Sequence, residues 1–105
     1  MTNSPYLVAF DWTNPSVPFD MRAYGDITII CVTAPSTPGK VRVSEKADGS
    51  NPRYTALIDG LGNTQKAPTG NSPSVAGTEY SVFVGNCYVW LEGDVGGAYQ
   101  IKGRA

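Results

Sequence analysis

Glycine and proline interrupt this chain before any helical pattern can build. Twelve Gly and eight Pro are spread over 105 residues, and no stretch of ten or more residues between them repeats apolar side chains at helical spacing. What remains is alternation of period two in short runs rich in β-branched residues, bounded by Gly, Pro, Ser, Thr and Asn. That is the pattern of strands joined by turns. It divides the chain into about eight strands, and the length suits one domain spanning residues 1–105. The expected fold class is all-β, a single-domain antiparallel β-sandwich.

The individual strands follow from the alternation. Tyr6 to Trp12 sets Tyr6, Val8, Phe10 and Trp12 on one face and turns Asp11 to solvent, before Asn14, Pro15 and Pro18 end the run. Phe19 to Tyr24 is short. Ile27 to Thr33 is apolar on both faces and suits the middle of a sheet. Lys40 to Lys46 points Val41 and Val43 inward and Lys40, Arg42 and Ser44 to water, as a half-exposed or edge strand does. Asp48-Gly49 then turns the chain so that Arg53 to Asp59 returns as its hairpin partner. Residues 60–77 form a long loop with four Gly and two Pro, whose sizeable apolar residues are Leu61 and Val75. Loops of that length in a compact domain are functional or disordered.

The stretch TEYSVFVGNCYVWLEG, residues 78–93, carries apolar side chains on both faces. Gly85-Asn86 is a dipeptide suited to closing a two-residue hairpin with positive φ, which pairs Val84 with Cys87, Phe83 with Tyr88 and Tyr80 with Leu91. One face then collects Tyr80, Val82, Val84, Cys87, Val89 and Leu91. The other collects Phe83, Tyr88 and Trp90, with Glu79 and Glu92 at its open end. A second hairpin closed by the glycines between Gly93 and Gly96 adds Tyr99 opposite Trp90 and Ile101 opposite Tyr88. Phe83, Tyr88, Trp90, Tyr99 and Ile101 are therefore the candidate partner-binding residues. Such a face is covered either within the monomer or by a subunit, partner or ligand.

The composition argues against several chemistries. With eight basic and nine acidic residues scattered along the chain and a net charge of −1, no basic stripe is present to displace counterions from nucleic acid. No apolar run approaches the roughly 20 residues that span a bilayer, and Met1 to Pro5 does not begin a signal peptide, which points to a cytoplasmic chain unless it is packaged in a virion. The chain has no histidine, the commonest general base and transition-metal ligand, so no catalytic residue, metal or cofactor is expected. Cys31 and Cys87 lack further ligands nearby and read as small buried apolar groups; a disulfide between them is the alternative. Asp48, Ser50 and Asn51 could offer oxygens to Ca²⁺, but they form a turn short of the usual ligand count.

Gly77-Thr78-Glu79-Tyr80, followed by Val82 and Val84, resembles the Gly-Thr-X-Tyr stretch before the penultimate strand of fibronectin type III domains. The chain departs from that family in placing Trp12 too early and in having two strands after Tyr80–Val84. An immunoglobulin pattern is weaker, because Gly85 stands where that family carries its corner tyrosine. In general character the chain resembles the small all-β proteins that decorate or cement bacteriophage capsids. That resemblance implies a sandwich of jelly-roll or immunoglobulin/fibronectin-like topology, a non-enzymatic structural role, and partners that are further copies of the chain, as dimer or trimer, and a major capsid protein. The alternative is a carbohydrate-binding or adhesion module that stacks sugars on Trp90, Tyr88 and Tyr99.

Overall fold

The computed structural model describes residues 7–67 and 69–105, and contains strands and turns but no helix among them. Tyr6, grouped above with Val8, Phe10 and Trp12, lies outside the described residues. Ten strands follow one another: β1 Leu7–Trp12, β2 Phe19–Met21, β3 Asp26–Thr33, β4 Lys40–Ser44, β5 Arg53–Tyr54, β6 Leu57–Asp59, β7 Thr64–Gln65, β8 Glu79–Val82, β9 Cys87–Glu92 and β10 Ala98–Arg104. They make two antiparallel sheets, a six-stranded one in the order β1-β10-β3-β8-β6-β7 and a four-stranded one in the order β2-β9-β4-β5. The architecture is an all-β sandwich.

Its core is the inward half of each alternating run. From the large sheet come Ile27, Ile29, Cys31, Leu57, Tyr80, Val82, Tyr99 and Ile101, and from the small sheet Met21, Val41, Val43, Cys87, Val89 and Leu91. Burying each large aliphatic side chain contributes about 1.5–3 kcal/mol against the entropy of ordering the chain. β3 lies inside the large sheet between β10 and β8, as its two-sided apolar pattern predicts. Asp11 faces solvent, where Gln100 Nε2 donates to it at 3.2 Å.

Several local expectations are overturned, and they share one cause. Residues 78–93 do not form a hairpin: β8 pairs with β3 and β6 in the large sheet, whereas β9 pairs with β2 and β4 in the small one. The second hairpin fails likewise, because Tyr99 lies opposite Trp12 and Cys31, and Ile101 opposite Phe10 and Ile29. Among the described residues only two of the eight strand pairings, β4 with β5 and β6 with β7, join neighbours in sequence. At every other connection except that from β7 to β8 the chain crosses from sheet to sheet, and the buried faces of β8 and β9 look at each other across the core.

The crossing at residues 84–86 has a local explanation. Asn86 has φ of 57°, but Gly85 serves for close approach, since a Cβ there would lie 1.9 Å from the Gly25 carbonyl oxygen. Asn86 donates from its backbone N–H to the Tyr24 carbonyl at 2.8 Å and from Nδ2 to the Arg22 carbonyl at 2.9 Å. The dipeptide is held by residues 22–25 and cannot fold back on β8.

The return strand expected at Arg53 to Asp59 is split in the same manner. Arg53 and Tyr54 pair with β4, and Leu57–Asp59 pairs with β8 in the other sheet. The backbone groups left at this step are met by Asn71, fully buried in the long loop. Its Nδ2 donates to the carbonyls of Val41 at 3.0 Å and Thr55 at 2.9 Å, and its backbone carbonyl accepts the Val41 N–H at 3.1 Å. The long loop thus contains β7 and a buried anchor. β4 is flanked on both sides and is no edge. Ser44, expected in water, is buried and donates to the Ser50 carbonyl.

Candidate interaction surfaces

The structure separates the five residues that the sequence grouped on one face. Tyr99 and Ile101 belong to the core. Tyr88 and Trp90 point to the outer face of the small sheet, and Phe83, just past β8, to the outer side of the large one. Glu79 and Glu92 are likewise divided: Glu79 accepts from Lys102 at 3.4 Å on the large sheet and Glu92 from Arg42 at 2.7 Å on the small one.

Tyr88 and Trp90 are each only 9% exposed, because this chain's own loops and side chains cover them. Gly49, in the β4–β5 loop, sits above Trp90: a Cβ on it would lie 3.2 Å from Pro18 Cγ and 3.4 Å from Trp90 Cη2. The left-handed φ of 76° at Gly49 favours glycine at that approach. The loop is tied by Asp48, which accepts the Ser50 N–H at 2.9 Å, and this contact holds its carboxyl below the ordinary range. Arg22 lies 4.8 Å over the Tyr88 ring while paired with Asp20 at 3.0 Å, and that pairing lowers the Asp20 pKa. Arg42 stacks 4.0 Å over Tyr54, whose hydroxyl donates to Glu92 at 3.2 Å. Trp90, Tyr88 and Tyr99 therefore offer no stacking platform for a sugar.

The outer face of the large sheet has no such cover among the described residues. Its register brings Ser81, Ile58, Thr28 and Lys102 into one row, with Ile30 and Glu79 in the next. Phe83 is 56% exposed, Val32 53% and Ile58 36%. A groove of about 300 Å³ between Asp26, Thr28, Ser81, Lys102 and Arg104 opens at one end of this face. Alternation of the sequence foresaw an apolar second face on β3, but not that it stays open while the more aromatic face of β9 is closed.

Other polar groups of interest are internal. Tyr99 donates to Asp94 at 2.5 Å, and burial followed by this contact raises its pKa. Cys31 and Cys87 are free, buried thiols in opposite sheets. Burial pushes the Cys87 thiol up to about 11, with the Glu45 charge adding to the shift, so it is a poor nucleophile at neutral pH. Among the described residues no group of three or more His, Cys, Asp and Glu is placed to hold a metal ion.

The chain matches no protein-family model, no curated protein and no solved structure.

Proposed function

We propose that this chain is a non-enzymatic structural protein of a virion, a capsid decoration or related phage protein, that docks through the open outer face of its six-stranded sheet. The observation that carries the reading is the unequal treatment of the two outer faces. On the small sheet Tyr88 and Trp90 are covered by the chain's own loops and side chains and Tyr54 at the edge is half-open under Arg42, whereas the large sheet leaves Phe83, Val32 and Ile58 in solvent. A sheet face left open with exposed apolar side chains set among polar ones is the kind of surface that protein partners cover. The strand orders β1-β10-β3-β8 and β2-β9-β4-β5 support a jelly-roll topology, with β6 and β7 added beside β8. Jelly rolls recur among viral capsid proteins, a fold-level analogy that agrees with the sequence character. The absence of histidine favours binding over catalysis.

The test is co-sedimentation with capsids of the particle that carries the gene. Wild-type protein should pellet with them, and Phe83→Glu combined with Ile58→Glu should stay in the supernatant with an unchanged circular-dichroism spectrum and melt. Binding that survives the double substitution would remove this face from the proposal. Hydrolytic turnover abolished by replacing one Asp or Glu would remove the structural role.

A further inference from the structure

Among the described residues the two sheets end in four edge strands, and three of them are blunted by brevity. β2 has three residues, β5 two and β7 two, so each offers few unpaired backbone groups to another chain. β1 has six. It pairs with β10 along its whole length, and among the described residues no strand lies on its other side. Its sequence, LVAFDW, has no proline or basic residue to guard the edge, its one charge, Asp11, accepts from Gln100 of β10 on the outer face, and its register with β10 has no bulge.

A second, independent feature borders the same edge. The sandwich is closed there by aromatic rings, Phe10 against Phe19 at 5.3 Å and against Tyr24 at 6.4 Å between centroids. The closure is partial. All three rings are half-buried and line an open groove of about 590 Å³ whose rim carries Asp20, Arg22 and Ala23. A strand laid along β1 would satisfy its free N–H and C=O groups and bring inward-facing side chains to this groove, which is how sheet edges take up an added strand.

We propose that the added strand is β1 of a second copy, paired antiparallel about a two-fold axis, so that two six-stranded sheets join into one of twelve. The two-fold is compatible with the alternation. Antiparallel partners share a face only where their residue numbers have an even sum, so the axis passes by Ala9 or Phe10 and sets Phe10 against the second copy's Val8 or Phe10. It also brings the two aromatic grooves together, burying both. The rim is self-complementary in charge, since the Asp20 and Arg22 side chains are 52% and 56% exposed and each copy presents both signs to the other. A net charge of −1 per chain leaves little repulsion between copies. This interface is distinct from the docking face around Phe83, three strands further along the sheet.

The decisive measurement is amide hydrogen exchange of β1 at protein concentrations above and below the association midpoint found by analytical ultracentrifugation. The expected result is a species of twice 11.2 kDa in which the outward amides of residues 7–12 are protected only when it forms. Ala9→Lys, at an outer-face position on this edge, should raise the dimer dissociation constant at least tenfold without changing the monomer melt. Phe83→Glu should leave dimerisation intact, so that failure of the docking face and failure of this edge are told apart. A wild type monomeric at millimolar concentration would overturn the proposal and leave the edge to a foreign strand. A dimer whose β1 amides exchange as in the monomer would equally overturn it.

Discussion

The outer faces of the two sheets began with similar material and ended in opposite states. On the small sheet, Tyr88 and Trp90 are large enough to require cover, and the β4–β5 loop, Pro18 and the Arg22 guanidinium supply it. On the large sheet, Ile58, Val32 and Phe83 are separated by Thr28, Ser81 and Lys102 and remain wet. Aromatic content alone therefore does not mark a docking surface. What decides is whether the same chain has a loop free to fold back. The β4–β5 loop does, while the outer face of the large sheet has none over it among the described residues.

The covered face of the small sheet depends most on Trp90. Trp90→Ala should cost about 3–5 kcal/mol of folding stability, as expected for a ring packed within the monomer, and a denaturant melt at constant association state measures it. A loss below about 1 kcal/mol would mean that the small sheet's face is open as well, since surface substitutions change stability little. Gly49→Ala tests the cover itself. The left-handed backbone and the nearby Pro18 ring should make it destabilising by about 1–2 kcal/mol, with a red shift in Trp90 fluorescence read in a Trp12→Phe background.

Acid sharpens the same contrast. Asp48 and Asp20 have folded pKa values below their ordinary 3.8, through the Ser50 N–H and through Arg22 respectively. A lowered folded value means that their stabilisation is fully present above the unfolded pKa and is lost as pH falls through the folded one. The Trp90 environment should thus hold from neutrality to about pH 4 and loosen below it, a window set by ordinary carboxylate values. The smallest effect is expected at Phe83. Phe83→Ser should alter stability by no more than about 0.5 kcal/mol, and a larger loss in the same melt would show that this ring is part of the fold.

Much of this was legible in the sequence, residue by residue. Alternation grouped Tyr80, Val82, Val84, Cys87, Val89 and Leu91 on one side without deciding which side is the core, and all but the half-buried Val84 are in it. It also set Asp11 outside and β3 inside its sheet. The misreadings fall where a turn had to be assigned a partner. Gly85 looked like half of a hairpin turn because glycine permits positive φ, yet its role is to let two backbones touch at Gly25, a contact 60 positions away in sequence. Asn71 looked like one more polar loop residue, and no local signal distinguishes it from its neighbours. Its burial arises only because the chain leaves the small sheet at Thr55 and exposes carbonyls that need a donor.

Alternation and turn residues were enough to show that the chain is built of short strands, where most of them lie, and how side chains divide between the two sides of each, because side-chain direction in a strand depends only on position along it; the split of Arg53–Asp59 and the short β7 within the long loop left no such mark. Which strands are neighbours was settled by packing in three dimensions. Backbone hydrogen bonds are nearly indifferent to which strand supplies them, so the pairing of β9 with β2 and β4, and not with β8, is selected by global packing. Tyr88 and Trp90 came to lie on an outer face that loops cover, and Phe83 on one left open, as a consequence of that selection.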